Sequence, residues 1–367
     1  MILNEGLMKA GRADGPEELW IEIGKRRWCP NNCKYCFSEM TEEEPLSAEK
    51  VIDILQQFKE GGGKAVGVPG AGEPFHPKSI EVLFKIMEFC SENSIKCTVF
   101  TEGSLITEEI ADAVKKLSAV RLLVKCNSRN PTVQDELVGR VGYTSAREQT
   151  LQMLIAKGFA NPDETRSRIG IVTSIMTENI EEIPDLLRFA RKNGLIFDCD
   201  TLIYRGKGGS CGLQPTDDQL RAVISKLVRI DKREFNRTSP SVASSYVLGP
   251  ACTRFKRHLY IGQNGIVHPC VGTAGVVLGD IKTQSLTDIW NGEITKIIRA
   301  HKYVGPCTSC NNYKEEKCFS CLGRRAPNLT TEKIKKMGAV PLESTCFNFK
   351  SCSSSCGGCK KKKAINQ

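Results

Sequence analysis

Between residues 19 and 205 the sequence alternates short apolar runs with amphipathic stretches, and it does so six times in succession. Apolar runs at 19–23, 64–68, 96–101, 120–126, 169–175 and 196–202 read as strands. Ser47 opens a helical stretch with Val51, Ile52, Leu55 and Phe58 on one face, and 80–90, 107–117, 145–157 and 180–192 read as further helices. A chain that repeats strand and helix in this way is confined to a parallel α/β sheet, open or barrel-like. Such sheets carry their sites at the carboxyl ends of the strands. A glycine-rich break at 206–212 is followed by Thr216-Asp217-Asp218-Gln219, a capping box, and by Leu220, Val223, Ile224, Leu227 and Val228 at helical spacing.

The cysteines are the second constraint. There are 18 of them in 367 residues, and most fall in C-x2-C or C-x3-C steps. Such spacing suits metal or cluster ligation better than loop-closing disulfides, which belong to small secreted domains. Residues 1–15 lack a basic start followed by an apolar core, so no secretory signal is read. No apolar run reaches the roughly 18 residues of a membrane span. A reducing, oxygen-poor cytoplasm is the expected compartment, with no membrane partner. The first cysteine loop follows the first strand, where a site is expected: Cys29, Cys33 and Cys36 in C-x3-C-x2-C. Three thiolates offered to a four-iron cluster leave one iron without a protein ligand, because such clusters take one cysteine per iron.

This loop resembles that of the radical S-adenosylmethionine (SAM) enzymes, and several other motifs follow in the family's order. The resemblance implies that Cys29, Cys33 and Cys36 hold a [4Fe-4S] cluster whose open iron SAM chelates. One-electron cleavage of SAM then gives a 5′-deoxyadenosyl radical that abstracts a substrate hydrogen. It places Tyr35 near the adenine. Gly70-Ala71-Gly72-Glu73-Pro74 resembles the family's Gly-Gly-Glu-Pro motif, with Ala71 in place of a glycine, so Gly70, Gly72, Glu73 and Pro74 become cofactor-binding candidates. Thr101-Glu102-Gly103 stands where relatives often carry Thr-Asn-Gly. Lys125-Cys126-Asn127-Ser128 replaces a Ser-x-Asp-Gly run that approaches the SAM ribose, leaving Asn127 and Ser128 as candidates. The implied fold is a partial (β/α)6 barrel. The implied electron donor is a one-electron carrier such as flavodoxin or ferredoxin.

From residue 250 onward the chain is cysteine-dense and turn-rich, and its core is expected to be organised by metal. Cys252, Gly265-x4-Cys270, Gly279-Asp280-Ile281 and the run 285–290 look like the start of a SPASM domain, a carrier of auxiliary four-iron clusters. Cys307-x2-Cys310-x7-Cys318-x2-Cys321 and then Cys346 continue it, with a middle spacing slightly off the common C-x2-C-x5-C-x3-C. The resemblance implies one auxiliary cluster on Cys252, Cys270 and Cys321, short of a fourth ligand, and another on Cys307, Cys310, Cys318 and Cys346. Paired cysteines also build zinc ribbons. The tail repeats the opening spacing at Cys352, Cys356 and Cys359, as an incidental run, a source of the missing ligand, or a further cluster or thiol relay. The expected domains are an extension at 1–18, a radical SAM domain at 19–212, a bridging helix and linker at 213–249, a SPASM-like domain at 250–350, and a Cys/Lys-rich tail at 351–367.

Catalytic candidates beyond the cofactor motifs lie at the strand ends. Cys126 and Cys199 close the fourth and sixth strands, where a thiol could return a hydrogen atom, although burial as small hydrophobes is the plainer account. Asp198 and Asp200 flank Cys199, and Asp200 is the candidate base. Of the four histidines only His76 falls near the expected site. The leading expectation is a radical SAM/SPASM oxidoreductase acting on a peptide or protein side chain. Against a peptide, only 28 residues precede Cys29, fewer than the peptide-recognition domain many such relatives carry there. The alternatives are a dehydrogenase, epimerase or sulfur-inserting enzyme on a small molecule such as an amino sugar, and a non-catalytic zinc or cluster protein using the basic surface. The net charge is +10, from 52 basic and 42 acidic residues, and Lys360–Lys363 supply four of the positive charges. No compact nucleic-acid motif stands out, which argues against a nucleic-acid partner.

Overall fold

The structure is a computed structural model, and it describes residues 15–237, 253–305, 308 and 328–342. The expected ligands Cys252, Cys307, Cys310, Cys318, Cys321 and Cys346, and the tail cysteines Cys352, Cys356 and Cys359, lie outside the described residues.

Six strands follow in order: β1 (Glu18–Ile21), β2 (Ala65–Val68), β3 (Lys96–Thr101), β4 (Val120–Lys125), β5 (Ile169–Ile175) and β6 (Ile196–Thr201). Each pairs in parallel with the next. Helices connect them: α1 (Ala48–Glu60), α2 (Ile80–Glu92), α3 (Glu108–Lys115), α4 (Pro131–Val138), α5 (Tyr143–Ala156) and α6 (Ile183–Lys192). The starts are set locally. Ser47 and Thr107 accept the Lys50 and Ile110 amides with their hydroxyls. The capping box expected at Thr216 and Gln219 is formed and opens α7 (Asp217–Glu234). Helix α4 is not in the sequence-based expectation, which has no element between the strand at 120–126 and the helix at 145–157. Here Asn130 caps the Thr132 amide and Pro131 takes the first helical turn, where its missing N–H costs nothing.

The sheet does not stop at β1. Strand β7 (His258–Ile261) adds to it in parallel, and β8 (Ile266–His268) and β9 (Gly279–Asp280) follow antiparallel, giving the order β6-β5-β4-β3-β2-β1-β7-β8-β9. One sheet therefore runs from the expected radical SAM domain into the cysteine-rich region. A smaller core beyond it packs Val276, Ile294, Ile298, Ile334 and Val340. These come from around α8 (Glu293–Arg299), α9 (Thr331–Met337) and the parallel pair β10 (Tyr303–Val304) with β11 (Val340–Pro341).

Parallel strands send alternate side chains to opposite faces. On the outer face, Leu19, Val66, Cys97 and Val120 stand in one register row and Val68, Val99, Leu122 and Ile169 in the next. All eight are buried in the principal core under the helices. The inner face carries Glu18, Trp20, Thr98, Phe100, Lys125, Ser174, Asp198, Asp200, His258 and Tyr260, read from the same registers. It is rich in charge, and at its amino-terminal end it is closed to bulk water: Glu18 and His258 are 2% and 1% exposed. Gly67 makes room there, since a Cβ on it would lie 2.6 Å from the Trp20 indole. No helix among the described residues is long and apolar enough to cross a membrane.

Candidate active site

The cysteine loop leaves β1 through a short turn at Arg26–Trp28. It is clamped from outside by the unanticipated α4, whose last carbonyls, Val138 and Leu137, accept the Asn32 and Lys34 amides at 2.8 and 2.9 Å. Cys29, Cys33 and Cys36 line a cavity of about 220 Å³ together with Gly72, Glu73, Thr101 and Glu102. Lys125, Asp198, Asp200 and Arg254 complete its charged wall. The sheet thus brings the ends of all six strands and the start of the cysteine-rich region to one space.

The thiols are prepared as acceptors. Cys29 Sγ accepts the Asn31 amide and Cys33 Sγ accepts the Tyr35 hydroxyl. Burial nevertheless pushes both thiols up, helped by the Glu73 carboxylate at Cys29 and by Cys36 at Cys33, the latter to about 11. A bound cationic metal centre removes that penalty, so the donor set fits an iron–sulfur cluster. No three His, Cys, Asp or Glu side chains among the described residues are gathered tightly enough for a single ion. Thiolates that each take a different iron of a cluster have no need to be.

Glu73 is buried, and every oxygen is used: Oε1 accepts from Thr101 Oγ1 (2.6 Å) and the Phe75 amide (3.1 Å), Oε2 from the Glu102 amide (2.8 Å). Burial first, and then the Glu102 carboxylate, raises its pKa to about 8. Two adjacent buried carboxylates with Arg140 3.6 Å from Glu102 favour an additional cation, which suits the ammonium group of SAM. Gly72 holds the tight turn that aims Glu73. Its φ is +78°, and a Cβ there would lie 2.2 Å from the Lys25 carbonyl. Gly70 and Pro74 are not among the cavity walls.

Tyr35 lines the cavity, and its hydroxyl accepts Asn127 Nδ2 at 2.5 Å while donating to Cys33. Asn127 also accepts the Ser174 amide at 2.9 Å, and its own amide donates to Gln134 at 2.8 Å. It is a fully buried staple joining β4, β5 and the cysteine loop, and it does not reach the cavity wall. Ser128 donates to Glu182 at 2.5 Å and is likewise buried away from the wall.

On β6 the alternation decides which candidates meet the cavity. Asp198 and Asp200 line it, whereas Cys199 between them faces the helices and belongs to the apolar core. Cys126 is in that core too. Both thiols are therefore packed under the helices and away from the cavity, as small hydrophobes, and of the three expected catalytic groups only Asp200 reaches it. Burial, then the neighbouring Asp198 carboxylate, raises Asp200 to about 6. Lys125, whose Nζ donates to Ser174 Oγ at 2.8 Å and lies 5.2 Å from the Tyr35 ring, faces the same carboxylates. His76 stacks on Trp28 instead of lining the site. Lys125, Trp20, Phe100 and Arg254 are cavity residues that sequence reasoning passed over. The signal for the first three was the polar or aromatic member of each inner-facing pair.

Of the expected auxiliary ligands, Cys270 is described. Its loop is tied by Thr273, whose hydroxyl accepts the Cys270 amide (3.1 Å) and donates to its carbonyl (2.9 Å). Burial pushes the Cys270 thiol up, while the nearby Arg254 charge and the Gly272 amide pull it back toward the thiolate.

A β/α half-barrel with three thiols at its first strand end, whose sheet continues into the cysteine-rich stretch of the chain, defines a cluster-dependent enzyme. Residues 25–190 match the radical SAM superfamily and residues 252–311 match SPASM, an iron–sulfur cluster-binding domain. The chain belongs to the radical SAM superfamily, in the subfamily with a SPASM domain, and works with SAM and [4Fe-4S] clusters. In sequence it is similar to the AdoMet-dependent heme synthase of Methanosarcina barkeri, 23% identical over 324 residues that cover 81% of this chain and 88% of the relative. Among solved structures it is similar to Streptococcus suis SuiB bound to S-adenosylmethionine, with a TM-score of 0.65, 20% identity, and 87% and 76% of the two chains covered. It is also similar to anSMEcpe with bound AdoMet, with a TM-score of 0.57, 15% identity, and 82% and 89% covered. These structural likenesses are of fold.

Proposed function

We propose that this radical SAM enzyme is an oxidoreductase that takes a hydrogen atom from a peptide or protein side chain. The observation that carries the reading is the Asp198–Asp200 pair in the same cavity as the three cluster thiols. Removal of a hydrogen atom leaves a substrate radical, and its oxidation releases a proton while an auxiliary [4Fe-4S] cluster of the SPASM domain would accept the electron. Asp200, the expected base, stands where that proton is lost, and Asp198 raises its affinity for it. Lys125 and Arg254 supply positive charge to hold a carbonyl or carboxylate of the substrate. When bound, the cluster and SAM supply the one-electron cleavage that yields the 5′-deoxyadenosyl radical. Trp20, Phe100 and Val271 give the cavity an apolar flank that excludes water from the reacting carbon. SuiB bound to the precursor peptide SuiA, and anSMEcpe bound to Cp18Cys peptide, support a peptide substrate. The electron donor belongs to the same proposal, as flavodoxin or ferredoxin, and so does a cytoplasmic, oxygen-poor setting.

The second reading, a small-molecule substrate, is favoured by the sequence likeness to a heme synthase. Within it, epimerisation by hydrogen return from Cys126 or Cys199 loses its geometric support, because neither thiol reaches the cavity. Anaerobically reconstituted chain with SAM and dithionite is expected to release 5′-deoxyadenosine, and Cys33→Ala to release none. A deuterated peptide encoded beside the gene is then expected to pass its label into 5′-deoxyadenosine. Turnover of a small molecule such as an amino sugar or a heme precursor, with no labelling from any such peptide, would overturn the peptide reading.

A further inference from the structure

The outer edge of the cysteine loop is gripped from two sides, and each side brings positive charge to it. On one side lies the end of α4, where a Cβ on Gly139 would stand 3.0 Å from the Asn32 carbonyl oxygen. On the other lies the stretch after β6: the Gly208 amide donates to the Cys36 carbonyl at 3.4 Å, and a Cβ on Gly206 would stand 2.7 Å from the Phe37 carbonyl oxygen. Lys207 donates to Asn32 Oδ1 at 2.7 Å, and Arg26 reaches the same oxygen at 3.4 Å. Arg140 reaches Asn31 Oδ1 at 3.5 Å. Lys34, on the loop itself, is 48% exposed and pairs with Glu136 at 2.6 Å. Neither Lys207 nor Arg26 has an ion pair among the described residues, so neutral amides hold their charge and leave it uncompensated. The nearby Glu42 and Glu44 are engaged elsewhere, on Arg27 at 3.2 Å and Lys25 at 2.6 Å. Beside these cations Asp135 pins a turn by accepting the Gly142 and Thr144 amides at 2.6 and 2.8 Å, and the tip of that turn, Val141, is 96% exposed.

We propose that this edge is the docking surface of the electron donor, and that the donor is a small acidic one-electron carrier protein. A lone exposed valine is ordinary on a protein surface. On a pinned turn beside Arg26, Lys34, Arg140 and Lys207 it has the composition of an interface, an apolar point with a charged rim. The three thiols line the cavity, which SAM and the substrate occupy in the working enzyme. The outer edge of the loop is then where a carrier can approach the cluster without displacing either. The carrier loses one electron and the cluster gains one, with no bond made or broken and no proton moved. Uncompensated cations on that edge raise the encounter rate with an acidic surface and orient it on arrival. A merely solvated edge makes a different prediction, because reversing one of its charges would leave every partner's association unchanged.

The inference rests on the proposal of a carrier as electron donor, and the test separates the two. Cluster reduction in the full, anaerobically reconstituted chain is followed by stopped-flow absorbance, with the Cys33→Ala chain as the blank for any other cluster. Flavodoxin hydroquinone is the carrier, and photoreduced 5-deazariboflavin is the small neutral reductant. Lys207→Glu and Val141→Glu are each expected to lower the second-order rate with flavodoxin about tenfold at low ionic strength, with the difference closing as salt is added. Both should leave the rate with deazariboflavin unchanged. If Lys207→Glu disturbs the loop, Val141→Glu decides, because its side chain stands almost wholly in water. Flavodoxin rates equal to the parent's in both variants would overturn the surface and leave the carrier standing. Equal slowing of both reductants by Val141→Glu, or loss of substrate-peptide affinity in place of donor rate, would also overturn it. A parent chain that deazariboflavin reduces but neither flavodoxin nor ferredoxin does would overturn the carrier, and the surface with it.

Discussion

The two faces of the one sheet are built from the same strands and follow opposite rules. On the outer face Leu19, Val66, Val99, Leu122, Val124, Ile171 and Phe197 are buried against helices, with no polar group to satisfy. The inner face buries Glu18, Glu22, His258 and Tyr260 at almost no exposure and holds Lys125, Asp198 and Asp200 half-buried at the cavity. Burying charge is costly unless it is partnered. The inner face therefore spends what the outer face supplies, and substitutions on the two faces should separate chemistry from stability.

The largest effect is expected on the inner face. Asp200→Asn should lower kcat/KM by about 10²–10⁴-fold, the usual contribution of a positioned base, with the fold intact. In the unmutated enzyme kcat/KM should rise with pH through about 6, the raised value of this carboxyl. Stability moves the other way. A carboxyl raised in the folded state favours folding below its ordinary pKa and loses that contribution as pH rises through about 6. Asp200→Asn should thus raise Tm at pH 8 and leave it nearly unchanged at pH 4, a result thermal melts can check. A variant that loses Tm at both pH values would mean that the carboxylate holds the strand ends together instead of serving the reaction.

Next come changes on the outer side. Asp231 in α7 and Arg191 in α6 form a bidentate pair at 2.8 and 2.9 Å, with side chains 2% and 0% exposed. Asp231→Ala should cost about 3–5 kcal/mol, because it strands a buried guanidinium. Glu164, 2.5 Å from the same guanidinium, should hold the loss to the lower end. Leu122→Ala, on the outer face of β4, should cost about 2–5 kcal/mol by transfer and cavity terms. Both are read by urea unfolding, and both should leave the SAM affinity of the folded fraction unchanged. A weakened SAM affinity in Leu122→Ala would break the separation of the two faces.

How much of this was legible in the sequence follows the same division. The strands stand out as short β-branched and apolar runs between amphipathic stretches, so β3 and β5 could be placed at 96–101 and 169–175, as the structure has them. The three thiols and Glu73 could be found because their motifs are local. What escaped were groups whose meaning depends on which face a strand presents. Lys125 and Cys126 are sequence neighbours, yet one meets the cavity and the other the core. The same one-residue alternation separates Asp200 from Cys199. Helix α4 escaped although its local signal, asparagine as cap and proline in the first turn, is present. Arg254 and Trp20 are 234 residues apart, and only the parallel pairing of β7 on β1 brings them together.

The smallest predicted effect lies where the two faces communicate. Asn127 touches no expected substrate, but its amide joins Tyr35 to the Ser174 backbone, and Tyr35 in turn donates to Cys33. Asn127→Ala removes these bonds from a fully buried position, and the Ser174 amide left unpaired, with the Tyr35 hydroxyl short of its donor, should cost about 1–3 kcal/mol. The cysteine loop keeps its other anchor, the α4 carbonyls on Asn32 and Lys34, so the thiols should still assemble a cluster. The expected signature is a normal iron content in fresh preparations with faster loss of the cluster in air or chelator, followed by the decay of its visible absorbance. Asn127→Asp should keep the bond to the Ser174 amide while losing the donor to Tyr35, and so fall between alanine and the parent. Equal cluster lifetimes in all three proteins would show that α4 alone fixes the loop, and that the inner face does not depend on β4 and β5 to hold its thiols.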